Sequence, residues 1–412
     1  MFKNMINNKK RKFSALAIVL VMVVVTVFSS GCSKVADKEG SIYDRYTFSS
    51  DLVAAKTDGK WGYINKKGDF VIKAQYQAVQ AFSEDLAGVC VDGKWGFIDT
   101  KGNEVIKPIY NEVSEFKDGV ALVDDDGKDL FINKEGKSIS ENRFYDAYPF
   151  SEGLALVNSA FKWGYIDTEG KYVIDCQYSN ASSFCDGLAY VEVNKKFGFI
   201  DKTGKMVIEA KYDAAQKFSE GLAAVQKDGK WGFVDKEGNL AVEFKFDYVS
   251  QFDDGISCVY AKDSYGYIDA GGKYLINPFY EDAKPFTEGL AAVKKGDKWG
   301  FVNKKGKMVI KPAYNDVNKF FGGYAMVEKN GMYGFIDKKG KLVVDYSYIY
   351  SAGYTTDGYA IVTTKDKKYT LLDKAGKEFK QKFEGIQDVE YKFCKQDKCK
   401  NMSGDSDYCN IH

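Results

Sequence analysis

The side chains best suited to covalent or metal chemistry are few in this chain, and four of them crowd into its C-terminal end. Cys394, Cys399, Cys409 and His412 follow the order Cys-x4-Cys-x9-Cys-x2-His. Three thiolates and an imidazole are the donor set of a tetrahedral zinc site. Outside the cell the same cysteines would instead form a disulfide between two of the three, capping whatever precedes them. A tail without function is the third reading, and the compartment inferred below favours the disulfide. Upstream, Cys176 and Cys185 could also pair, whereas Cys90 and Cys258 stand near small-residue positions and read as core. His412 is the single histidine, which excludes Ser-His-Asp and Cys-His sites, and two-histidine metal motifs, from the body of the chain.

Carboxylates are plentiful, with 58 Asp and Glu against 59 Lys and Arg, so a paired-carboxylate hydrolase is the one catalytic class left open. Most of these acids recur at fixed intervals. Asp99, Asp167, Asp201, Asp235, Asp269 and Asp337 occupy one repeating position, with Asn65, Asn133 and Asn303 substituting. Asx side chains stabilise turns in this way, and a residue present in every copy is a poor candidate for one catalytic centre. Asp124-Asp125-Asp126-Gly127 lacks the ligand spacing and the distant Glu of a calcium loop and reads as a solvated turn. Only Glu141-Asn142-Arg143 breaks the repeating pattern on a loop. No glycine-rich phosphate loop is present. Arg supplies three cations, Arg11, Arg45 and Arg143, so bidentate phosphate recognition is not a theme. The near-neutral balance gives no electrostatic reason to expect nucleic acid.

The N-terminus is a targeting segment. Five basic groups (Lys3, Lys9, Lys10, Arg11, Lys12) precede an apolar run from Ala15 to Phe28, the layout of a bacterial secretory signal and short for a spanning helix. Ser29-Ser30-Gly31-Cys32 follows and resembles the lipobox of bacterial lipoproteins, although Ser29 stands where Leu is usual. The resemblance implies cleavage after residue 31 and a diacylated Cys32 as the mature N-terminus, a stable anchor. An uncleaved anchor would hold the remainder outside the cell as well. Residues 1–31 are thus a signal peptide and 32–47 a lipidated tether.

The elements that must carry any chemistry are repeats of 34 residues. Trp61, Trp95, Trp163, Phe197, Trp231, Tyr265, Trp299 and Tyr333 lie on one grid, followed by Gly62, Gly96, Gly164, Gly198, Gly232, Gly266, Gly300 and Gly334. Those positions hold every Trp of the chain. Further grids run from Gly68 to Gly340, Phe48 to Phe320 and Tyr76 to Tyr348. Nine copies keep register, and a tenth follows with Tyr369 and Gly376 displaced by two residues. The apolar pieces, such as Leu222–Val225, Trp231–Asp235 and Met206–Ile208, are strand-sized, and Asp228-Gly229 is a favoured hairpin turn. Frequent Gly and short apolar runs exclude the helix pairs that share this period. Each unit reads as a three-stranded antiparallel meander, with Tyr212 to Phe218 leading into the next.

Lys94-Trp95-Gly96-Phe97-Ile98-Asp99, Val105-Ile106-Lys107-Pro108 and Phe218-Ser219-Glu220-Gly221-Leu222-Ala223 together resemble the WG (KWG) repeat of bacterial proteins. The resemblance covers residues 48–380, leaving 381–412 as a Cys-rich tail. It implies a modular β-repeat protein, often secreted or surface-exposed, that acts as a binding scaffold without a shared catalytic residue. The expected fold is all-β, an open twisted stack of three-stranded units, with a closed β-propeller as the alternative should Tyr212 to Phe218 form a fourth strand.

Alternation along the strand sets Trp231 and Phe233 on one face and Gly232 and Val234 on the other. Glycine there permits close approach by a neighbouring backbone or by a ring from the next unit. The third copy reads Asp129-Leu130 at this slot, losing ring and glycine together, whereas Tyr369-Thr370 keeps the ring alone. Packing therefore outweighs ligand contact at the Trp-Gly pairs. The expected function is a non-catalytic extracytoplasmic lipoprotein whose exposed aromatic face binds protein or envelope polysaccharide. The competing expectation is an envelope hydrolase with carboxylates unique to one repeat.

Overall fold

The computed structural model of the chain describes residues 43–46, 48–355, 357–387 and 389–392, and these form strands and turns without a helix. The second unit is typical: a two-residue strand Ala78–Val79, then Leu86–Val91, Lys94–Asp99 and Glu104–Tyr110, hydrogen-bonded in that order. The inner strands are buried almost throughout, as in Leu86–Val91, whereas Glu104–Tyr110 alternates exposed and covered side chains. Val71, Val105, Val173 and Val207 of the fourth strands are 40–49% exposed and mark the outer rim.

Eight of the ten hairpins between the second and third strands place two residues in the left-handed region. Asp92 (φ 49°) and Gly93 (φ 77°) supply them in the second unit, the combination that suits the twist of paired strands.

Ten such sheets close into a ring. Gly385–Gln387, from the far end of the chain, completes the first sheet by pairing with Val53–Thr57 in the register Lys56↔Gly385, Ala55↔Ile386 and Ala54↔Gln387. The seam also has a core of its own: Phe48, Val53, Ala55 and Ile64 pack with Ile361, Leu371, Phe383 and Ile386. The open stack is thus corrected to the closed propeller. The segment from Tyr212 to Phe218 does add a strand: Ala214–Ser219 is the first strand of the sixth blade, paired to Leu222–Lys227, and equivalents elsewhere are mostly two residues long. Strands that short leave no readable alternation in the sequence, and the closing strand comes from the segment set apart as tail.

The core lies between blades. Third-strand residues such as Phe97 face the next blade, and Ile98 faces the one before. Nine junctions carry one aromatic pair each, from Tyr63–Phe82 to Phe335–Tyr354, with ring centroids 4.6–5.1 Å apart. At the tenth, Leu371 meets Phe48. Burying each such ring stabilises by about 1.5–3 kcal/mol, with about 0.5–1.5 kcal/mol more from the ring pair.

Strand direction divides the ring into two ends. The hairpin face holds the turns such as Asp92-Gly93. The corner face holds the first loops, such as Phe82–Asp85, and the Asx corners, where Asp99 Oδ1 accepts from Lys101 and Asn103 N–H at 2.9 and 2.8 Å. There, carboxylates bridge adjacent blades. Glu84 accepts from Gly119 N–H at 3.1 Å and pairs with Lys134 at 3.0 Å, and Glu152 and Glu288 repeat the arrangement with Gly187 and Lys202, and with Gly323 and Lys338.

Candidate functional site

The Trp-Gly pairs are structural in this geometry. Trp231 and Trp299 are 7% and 6% exposed, and Trp61, Trp95 and Trp163 are half-buried. These rings face the next blade, as the joint packing of Trp299 with Val317 and Phe320 shows. What crosses the glycine is the fourth strand of the same blade, and no ring from the next unit does so. A Cβ at Gly164 would lie 2.5 Å from Ile174 O, and one at Gly232 2.5 Å from Val242 O. The register shifts around these positions, for example between Trp231, Phe233 and Val234, bend the outer strand over the glycine.

The two exceptional slots follow the same rule. The third blade (Asp129-Leu130) and the tenth (Tyr369-Thr370) hold only three strands, lacking the fourth. The eight blades that keep the glycine keep the strand. In the third blade Leu130 is 6% exposed in the space vacated. The chain there is held by the Asp129↔Phe144 and Ile132↔Ser138 bridges and by Ile139 N–H donating to Phe131 O at 3.0 Å. An open cleft of about 560 Å³ remains, lined by Leu130, Ser138, Ile139, Ser140, Glu141 and Arg143. Glu141 and Arg143, singled out in sequence, thus do line one concavity, although Arg143 is held by Asp125.

Asp129 replaces the Trp and brings a carboxyl into the junction between the third and fourth blades. Its Oδ2 accepts from Ala147 N–H at 2.8 Å. Burial, then the neighbouring Asp146 carboxylate, pushes its pKa up to about 7. Glu115 retains a little solvent access, yet desolvation also raises it to about 7. Among the described residues, no group of three or more His, Cys, Asp or Glu is placed to hold a metal ion.

Above Asp129, on the hairpin face, lies a feature without a counterpart in the other hairpins. Tyr145, 58% exposed, and Phe161, 79% exposed, stack with centroids 5.3 Å apart and planes 17° from parallel. Lys128 Nζ lies over the Tyr145 ring, 3.0 Å from its centroid. Phe161 holds φ at 63°, after Ala160 at 49°, where five of the other hairpins use Asp-Gly or Asn-Gly. A bulky aromatic in the left-handed region is strained, and strain retained at a solvent-exposed ring is a signature of function. Sequence reasoning missed this pair; the signal was Ala160-Phe161 standing where Asp-Gly recurs.

Cys176 is a free thiol, so the Cys176–Cys185 pair is not formed, and Cys90 and Cys258 are buried free thiols. Cys32 and the zinc or disulfide candidates Cys394, Cys399, Cys409 and His412 lie outside the described residues.

This geometry defines a ten-bladed β-propeller of tandem repeats, closed by pairing its two ends. A model of the WG containing repeat matches at 61–95, 95–128, 131–159, 163–197, 197–231, 231–263, 265–299, 299–333 and 333–369, and the chain belongs to that family. No curated protein matches it. Among solved structures it is similar to one titled as the eukaryotic initiation factor, at 13% identity and a TM-score of 0.50, over 83% of this chain and 98% of that one. It is also similar to the computationally designed Ika8 protein (12%, TM-score 0.36, 63% and 94% covered). A third is BamB from Moraxella catarrhalis (11%, TM-score 0.31, 76% and 96% covered). At such identities, likeness concerns the fold alone.

Proposed function

We propose that the chain is a non-catalytic binding scaffold of the bacterial cell envelope, anchored through a lipid on Cys32, which takes a protein or envelope polysaccharide partner on its hairpin face at the third and fourth blades. The observation that carries this reading is the exposed, strained Phe161 stacked on Tyr145. A ring presented in this way gives a rigid apolar contact at low entropic cost, and sugar rings and apolar side chains both pack on it. Its neighbours Lys128, Arg143 and Asp125 supply polar contacts around the rim. The broken repeat beside it fits a general expectation: function in an array belongs where copies differ.

The test has two parts. Binding of the purified protein to isolated envelope polysaccharide and to envelope membrane fractions is measured for wild type and Phe161→Ser. Binding that falls at least tenfold in the variant supports the reading, and no binding to any fraction contradicts it. Anchoring is read separately, by fatty-acid labelling that Cys32→Ala abolishes.

A further inference from the structure

We propose that the partner is a polysaccharide of uncharged pyranose units, with one sugar ring stacked on Phe161 and the chain running past Tyr145 and Lys128 into the cleft of the third blade. This ligand class rests on the binding role proposed above and narrows it. Ring and cleft belong to one surface, joined contact by contact. Arg143 lines the cleft and binds Asp125, with 2.5 Å between guanidinium and carboxylate. Asp125 N–H donates to Lys128 O at 2.9 Å, closing the turn between them. Lys128 Nζ lies over Tyr145, and Tyr145 stacks on Phe161. An extended chain matches this line, which runs from the fourth-blade hairpin to the vacated edge of the third. The cleft, about 560 Å³, falls in the range of about 300–1,000 Å³ that takes small ligands.

The chemistry of the surface separates a sugar from other partners. Carbon-bound hydrogens on one face of a pyranose make an apolar patch the size of a single aromatic ring. The rim of the same sugar carries hydroxyls that both donate and accept. Phe161 is 79% exposed with one face against Tyr145, so its outer face offers the matching ring. The polar groups nearby are of both kinds: Asp125 and Glu141 accept, Lys128 and Arg143 donate, and Ser140 does either.

A stable protein partner would cover about 800 Å² around an apolar centre. The hairpin tips that flank Phe161, at 126–127 and 194–196, are polar and exposed instead, so a single stacked pair is the apolar surface on offer between them. An anionic polymer or an anionic membrane surface needs a cationic track. Here Lys128, Arg143 and Lys162 are offset by Asp125, Asp126 and Glu141.

The test measures binding of the purified full chain to isolated bacterial envelope and to phospholipid vesicles. The readout is the part of the binding that Phe161→Asn removes, so attachment through any other part of the chain cancels. Asn adopts the left-handed backbone readily, and an unchanged Tm checks that the variant is folded. Envelope is used untreated, after protease digestion, and after anhydrous trifluoromethanesulfonic acid, which cleaves glycosidic bonds and spares peptide bonds. The proposal expects the Phe161-dependent binding to survive protease and to fall at least about tenfold after the acid. Phe161→Trp should restore it, Glu141→Ala should weaken it about threefold, and about 0.5 M NaCl should leave it within about twofold. Binding that protease abolishes and the acid spares overturns the proposal in favour of a protein, while the scaffold reading stands. Phe161-dependent binding to the vesicles alone overturns it in favour of a lipid surface. An unweakened Glu141→Ala variant overturns the extension into the cleft. No Phe161-dependent binding to any sample overturns both the polysaccharide and the binding role itself.

Discussion

The sixth and third blades begin from the same plan and part at two residues. In the sixth, Trp231 fills the junction with the seventh blade and Gly232 lets Leu240–Phe246 cross at backbone distance. In the third, Asp129 and Leu130 occupy those positions, and no fourth strand forms. Yet the third blade keeps its place in the ring, because Phe131 still meets Phe150 at 5.1 Å. The junction between blades and the outer strand are therefore separate assets. The aromatic pair holds the ring together, and the glycine admits the strand.

Replacing the aromatic pair should do the same damage in both kinds of blade. Phe199→Ala, in the fifth blade, which keeps its outer strand, and Phe131→Ala, in the third, should each cost about 3–5 kcal/mol, read as the shift in urea midpoint. A much smaller loss for Phe131→Ala would mean that the third blade is already loose.

Charge separates the two blades more gently. Asp129 is easier to protonate in the folded chain than in the unfolded one, with a pKa near 7 against an ordinary value of 3.8. Its contribution is fully present below about pH 4 and is lost as pH rises through about 7. Asp129→Asn should thus stabilise the protein on the order of 1 kcal/mol at pH 8, leave it unchanged at pH 4, and flatten the slope between. Glu115 leaves a residual slope of the same sign. Thermal unfolding across that range measures all three outcomes.

The smallest effect belongs to the surface pairs. Lys134 of the third blade meets Glu84 at 3.0 Å with both side chains substantially exposed, and Lys202 of the fifth blade meets Glu152, the more covered of the two acids, at 3.1 Å. Lys134→Ala and Lys202→Ala should each shift stability by less than about 1 kcal/mol, and less still in high salt.

Much of this architecture was legible in the sequence, because turns and alternation have local causes. Asp92-Gly93 announced a hairpin, Asp99 to Gly102 a corner, and the alternation of Trp231, Gly232 and Phe233 set their faces correctly. Closure was not legible. Ala78–Val79 is too short to carry a period, and Gly385–Gln387 finds its partner through a contact more than 300 residues away in sequence. The partner of the glycine was also misread: the pattern shows that something must approach Gly232, while only the register shift identifies it as the blade's own outer strand. The Tyr145–Phe161 stack brings two separate loops together, and neither loop alone marks it.

Hydrogen exchange on Gly198→Ala tests the central claim most directly. A Cβ at this position would lie 2.5 Å from Ile208 O, so the account predicts that amides of the outer strand Met206–Tyr212 lose protection while those of Leu240–Phe246 in the next blade keep theirs. Full protection retained across Met206–Tyr212 would contradict it, because the glycine would then not be what admits the fourth strand.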